Sequence, residues 1–271
     1  MNILVIGATG YIGSHVAAAL AGAGHTVAAL QRPGGQPVPT GYRPVVGDLA
    51  DPATLVKAAA GFDRVIHAGP LLDHDADRAA VDALLAAGSP LVYTTGASVL
   101  GAGRQDEDSP PDSHPTTAWR PAAERRVLDT GGWVVRPGLV YGNGGGLVHG
   151  LLARKAAERG TGVYIGEPGV RWPVVHVEDL AQLFVAVVEH APPGTIWHGI
   201  AETARLDAIA AALGNGSATS WPLPEAIAEL GQLADLFTRD QVVSAAKTRR
   251  ELGWTPRHTS IVEHLAGTSD S

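Results

Sequence analysis

The sequence predicts an α/β protein built on a doubly wound parallel sheet, on three observations. Apolar strand-like runs alternate with small-residue helical stretches. The N-terminal strand runs into three glycines spaced three apart, Gly7, Gly10 and Gly13, and then into an Ala-rich helix. The 271 residues suffice for one large α/β unit and a small, mainly helical C-terminal lobe.

Residues 3–6 form the first strand, and the turn after them suits a dinucleotide. Gly7 lets the chain turn sharply, Gly10 removes a side chain where a pyrophosphate approaches the backbone, and Gly13 lets the helix pack close to the sheet. Thr9, Tyr11 and Ile12 complete the segment, and the free amides and positive dipole end of the helix face the phosphates. Val16, Ala17, Leu20 and Ala21 supply that helix's buried face. Strands follow at 26–30, 45–46, 64–68, 91–95 and 133–136. Helices at 52–60, 75–87 and 117–128 separate them, with Asp51 and Pro52 as a cap and first-turn pair. The ligand crevice is expected beyond the carboxyl ends of these strands.

From Tyr141 the rhythm changes. A Gly-rich loop spans 142–146, followed by a helix at 147–159, a strand at 174–177, a helix at 178–189 and a strand at 196–200 that returns to the main sheet. Beyond Ala201 the chain reads as helix and loop. Residues 1–200 are thus expected to form a dinucleotide-binding domain with a lid segment at 141–173, and residues 201–271 a substrate-binding lobe. The loop reads either as a mobile lid or as a plain connection, and Trp172 and Trp221 either as aromatic walls for a substrate or as packing.

Twenty basic against 27 acidic residues give a formal charge of −7, which argues against nucleic acid or an anionic membrane as partner and for a small-molecule substrate. Without cysteine there is no disulfide, thiolate nucleophile or zinc-thiolate site. The first strand begins after one polar residue with no basic leader, and no apolar run is of membrane-spanning length, so a soluble cytoplasmic protein is expected. Asp73, His74, Asp75 and Asp77 could ligate a metal but read as a solvated helix start, so none is expected.

Seven segments together resemble the extended or atypical short-chain dehydrogenase/reductase family, the NAD(P)-dependent epimerase/dehydratase group. They are GATGYIG at 7–13, VVGDL at 45–49, VIHAGP at 65–70, VYTTGASVLG at 92–101, WVVRPGLVYG at 133–142, VVHVEDLA at 174–181 and RRELGWTPRH at 249–258. The resemblance implies a Rossmann-type fold. It puts Asp48 and Leu49 beside the adenine, Ala68, Gly69 and Pro70 along the cofactor with Thr94, and Pro137 and Val140 at the nicotinamide. It also implies a possible homodimer. Asp48 reads equally as a helix cap, and Pro137 as a break in the sheet.

Cofactor choice follows from charge. NAD readers place an acid at the end of the second strand for the ribose 2′-OH, whereas a 2′-phosphate calls for a cation. Here the strand ends Ala29-Leu30-Gln31-Arg32, so NADP is favoured over NAD, unless Arg32 is a solvated loop residue.

The resemblance also implies a Tyr-x-x-x-Lys pair, and the sequence has none. With Glu124 as the acid that commonly follows the Lys, Arg120 falls on the Lys position and Thr116 on the Tyr position. Gly96 occupies the usual hydroxyl site, with Thr95 just before it. Arginine stays protonated, so Arg120 can hold the cofactor ribose or a substrate anion but cannot shuttle a proton. Tyr141 and His176 are candidate replacement acids or bases, and each also reads as structural; Glu178 and Asp179 read as caps of the following helix. The catalytic candidates are therefore Thr95, Arg120, Tyr141 and His176. The functions left open are an oxidoreductase or epimerase/dehydratase-like enzyme on a small carbonyl, hydroxyl or sugar-like substrate, a non-catalytic NADP(H) sensor, and a lyase or isomerase reusing the fold.

Overall fold

The computed structural model describes residues 1–69 and 73–267, so Pro70 lies outside the described residues. Its centre is a seven-stranded parallel sheet. In chain order the elements are β1 (Asn2–Ile6), α1 (Tyr11–Gly22), β2 (Thr26–Gln31), β3 (Arg43–Val46), α2 (Pro52–Ala59), β4 (Arg64–His67), α3 (His74–Ala86), β5 (Leu91–Thr94) and α4 (Arg120–Asp129). Strands Trp133–Pro137 and Ile196–Gly199 complete the sheet, in the spatial order Ile196–Gly199, Trp133–Pro137, β5, β4, β1, β2, β3. The chain reverses direction across the sheet between β1 and β4, which fixes the crevice at the carboxyl ends of those strands.

Both faces of the sheet are covered, and β1 shows why an unbroken apolar run is needed. Ile3 and Val5 pack with Val16, Ala17 and Leu20 of α1 and with Leu180, Phe184 and Val187 of helix Val177–His190. Leu4 and Ile6 face the other way, onto Leu55 of α2 and Val81 and Leu84 of α3. A strand buried on two faces has no polar side to alternate. Asp51 caps α2 through Ala53 N with Pro52 in the first turn, and Asp73 caps α3 through Ala76 N.

A second core lies beside the sheet. Leu139, Tyr141, Leu151 and Trp172 share it with Ile209, Trp221 and Phe237, and strands Leu139–Tyr141, Arg171–His176 and Glu202–Arg205 pair within it. The segment expected as a lid thus supplies much of the lobe's own apolar interior. No helix among the described residues is long and apolar enough to cross a membrane.

Candidate functional site

The turn between β1 and α1 is built for close approach. Gly7 has φ +86°, and a Cβ there would run into the Ala68 carbonyl; a Cβ on Gly13 would run into the carbonyl of Gly7. Gly10 caps α1 with no side chain, so the first amides of the 12-residue helix are left for a ligand. Tyr11 donates its hydroxyl to Gly142 O at 2.8 Å, and its ring lies under Gly145 and Gly146, tying the Gly-rich loop down at the crevice.

From this turn a cavity of about 490 Å³ extends along the strand ends. Tyr11, Ile12, Ala68 and Gly69 line it beside the turn, together with Thr95, Arg120 and Pro137 and the apolar Leu147, Trp172, Leu233 and Leu236. Asp48 bonds locally, its Oδ1 accepting from Ala50 N while its own amide donates to Thr54 Oγ1, and Leu49 approaches Gly69. Arg32 is exposed at the end of β2.

The polar centre of the cavity is a charged network. Glu124 accepts from Arg136 Nε at 3.0 Å and Nη2 at 2.5 Å, and from Thr95 Oγ1 at 2.6 Å. The Thr95 proton is therefore committed, and towards a substrate this hydroxyl offers lone pairs only. Arg120, 7 % exposed, reaches Gly96. Burial lowers its pKa, and Tyr93, Asp77 and Glu124 work against that shift. Tyr93 donates to the buried Asp77 at 2.8 Å; burial raises both, so Tyr93 holds its proton. His67, pushed down to about 4 by burial, accepts the Gly69 amide through Nδ1 and leaves Nε2 buried at the cavity wall with no partner among the described residues. Sequence reasoning overlooked Ser98, His67 and Tyr93 as lining residues; all follow from strand ends or the turn after β5.

Tyr141 and His176 do not line this cavity. They are paired in register on adjacent strands and buried in the lobe, ring centroids 5.2 Å apart. The Tyr141 hydroxyl has no hydrogen-bond partner among the described residues, and burial raises its pKa. His176 caps helix Val177–His190 by accepting the Glu178 amide at Nδ1, and burial, with His258 and His264 adding to it, lowers its pKa to about 4. The expectation that Glu178 and Asp179 cap this helix is corrected accordingly: Asp179 instead accepts the amides of Arg257 and His258, tying the C-terminal segment to the helix. His176, Glu178 and His258 bring ligand atoms within 4.8 Å of one another. The two imidazoles stack at 3.7 Å and 20°, which sets their nitrogens side by side instead of converging on one ion. Trp172 forms a cavity wall stacked on Phe237, whereas Trp221 lies in the lobe core beneath Arg159.

Residues 3–198 match the sequence profile of the NAD dependent epimerase/dehydratase family. The chain belongs to that family. An uncharacterized protein of Schizosaccharomyces pombe is 30 % identical, covering 98 % of each chain. The 3-diazoavenalumate denitrifying reductase of a Streptomyces species is 31 % identical over 96 % of this chain and 97 % of its own. Among solved structures, the human epimerase family protein SDR39U1 with NADPH superposes with a TM-score of 0.79 at 23 % identity, covering both chains fully. The sequence contains no Tyr-x-x-x-Lys run.

Proposed function

We propose that this family member is an NADP(H)-dependent reductase of small, largely apolar carbonyl compounds. One observation carries the reading: a single cavity joins the bare amides at the start of α1 to the buried cation of Arg120 and on to an apolar wall of Trp172, Leu233 and Leu236.

The glycine turn fits a nicotinamide dinucleotide: Gly7 and Gly13 let the turn and α1 close where a Cβ would strike backbone, and Gly10 leaves no side chain over the first amides of α1. When bound, the nucleotide supplies hydride to the substrate carbon. The amides of Tyr11, Ile12 and Gly13 would hold the diphosphate, Arg32 a 2′-phosphate, and Pro137 and Val140 would flank the nicotinamide. Arg120 has a second task. A guanidinium that cannot lose its proton stabilises negative charge developing on a carbonyl oxygen, and burial strengthens that effect.

Substrate polarity follows from the lining. Arg120 is the only Lys or Arg among the described cavity residues, and the lobe end is apolar, so a sugar nucleotide would find no counter-charge there for its diphosphate. The name of the Streptomyces relative, a reductase, agrees with this reading. Titration of NADPH and NADH by tryptophan quenching, followed by NADPH consumption with aromatic ketones, alkyl 3-oxo compounds and a UDP-4-keto-hexose, tests it. Turnover confined to the apolar carbonyls is expected. Turnover of the keto-sugar nucleotide alone, or absence of nucleotide binding, would refute it.

A further inference from the structure

The missing phenol has a candidate successor on the cavity wall. Thr116 lines the cavity at the family's Tyr position and is exposed to it. Its Oγ1 lies 2.8 Å from Nδ1 of His114, and Nε2 of His114 lies 3.0 Å from Oδ2 of Asp235. His114 itself is 2 % exposed, because it caps the 3₁₀ turn Pro115–Thr117. A hydroxyl, an imidazole and a carboxylate therefore stand in line, with the hydroxyl alone facing the cavity. We infer that Thr116, backed by His114 and Asp235, is the proton relay that replaces the absent tyrosine; this rests on the reductase reading above.

A threonine hydroxyl is by itself too weak an acid to serve. An imidazolium behind it changes that, since the hydroxyl can give up its proton while receiving another. The carboxylate keeps the ring in place and stabilises its charged form. In the neutral ring Nδ1 accepts the Thr116 amide at 3.2 Å; protonation exchanges that bond for one that Nδ1–H donates to Oγ1 at 2.8 Å. The step then balances. Where a bound nicotinamide nucleotide supplied hydride to the carbonyl carbon, the C=O π pair would move to oxygen, which would take the Thr116 hydroxyl proton. Thr116 Oγ1 takes the proton of His114 Nδ1, and the ring is left neutral with Nε2–H on Asp235. His114 regains a proton from solvent past Asp235, whose side chain is 50 % exposed.

Three other hydroxyls on the cavity wall are committed elsewhere. Thr95 gives its proton to Glu124, Tyr93 to Asp77, and Thr117 to backbone carbonyls. Asp235 is the charged group facing His114. Arg239 on the same stretch is turned to the Asp112 carbonyl. Thr116 is a catalytic residue in this scheme, and His114 and Asp235 are positioning residues acting through it.

Thr116→Val, Thr116→Ser and His114→Gln test the relay in the intact chain, with NADPH consumption by 2-acetylnaphthalene and the other carbonyls followed against pH. Thr116→Val is expected to lower kcat about 100-fold, with KM and NADPH affinity nearly unchanged, and Thr116→Ser to restore most of it. His114→Gln is expected to abolish the fall of kcat with rising pH. Because Thr116 is exposed, its variants keep the test valid even where His114→Gln fails to fold. Unchanged kcat and pH profile in Thr116→Val would overturn the relay alone. A wild-type chain that binds NADPH but reduces none of the carbonyls would overturn the reductase reading and the relay with it.

Discussion

Arg136 grips Glu124 through two parallel hydrogen bonds, and both side chains are 2 % exposed. The pair joins the strand beside β5 to α4, so it holds the helix that carries Arg120 against the sheet. Removing one partner of a buried pair leaves an uncompensated charge, which costs more than the pair itself contributes. Glu124→Gln is expected to destabilise the fold by about 3 kcal/mol in urea unfolding at neutral pH.

Tyr141→Phe should leave catalysis intact. The hydroxyl it removes is buried with no partner among the described residues, and deleting an unsatisfied polar group is neutral or stabilising by up to about 1 kcal/mol. Equal kcat and an unchanged or higher midpoint in thermal unfolding are the expected results. A large loss of kcat would return Tyr141 to the catalytic site.

The positions of these residues mark where sequence reasoning reaches and where it stops. Gly7, Gly10 and Gly13 are legible because a turn between strand and helix is a local matter of spacing, as is the capping of α2 by Asp51. Tyr141 is not legible in the same way. Neighbouring residues on a strand face opposite sides: Leu139 and Tyr141 lie in the second core, while Val140 between them packs against the main one. His176 follows, since its register pairs it with Tyr141. The grip of Arg136 on Glu124 and of His114 on Asp235 joins elements far apart in sequence, and only the tertiary fold brings them together.

Arg32→Glu tests the choice of nucleotide. An acid at this exposed strand end would repel a 2′-phosphate and accept a ribose 2′-OH. NADPH affinity is expected to fall about 10-fold or more while NADH affinity holds or rises, read by tryptophan quenching. Equal weakening of both nucleotides would mean that Arg32 supports the turn without reading the phosphate.

Three buried imidazoles set the acid limit of stability. His67, His176 and His198 are each held down to about 4, with burial the largest cause in every case. His198 is fully buried, donates Nδ1–H to Ser244 O at 2.8 Å, and is lowered further by the charges of Arg136 and Lys247. In the unfolded chain a histidine takes up its proton near 6.5, so between that value and about 4 the unfolded state binds more protons. Stability is therefore full above about 6.5 and falls as pH drops towards 4, by about 3 kcal/mol at most for His198. Urea unfolding at pH 7 and pH 5 should show this loss in the wild type. His198→Asn should reduce its slope while the contributions of the other two remain. A slope unchanged by that substitution would mean that His198 already titrates near its ordinary value in the folded chain.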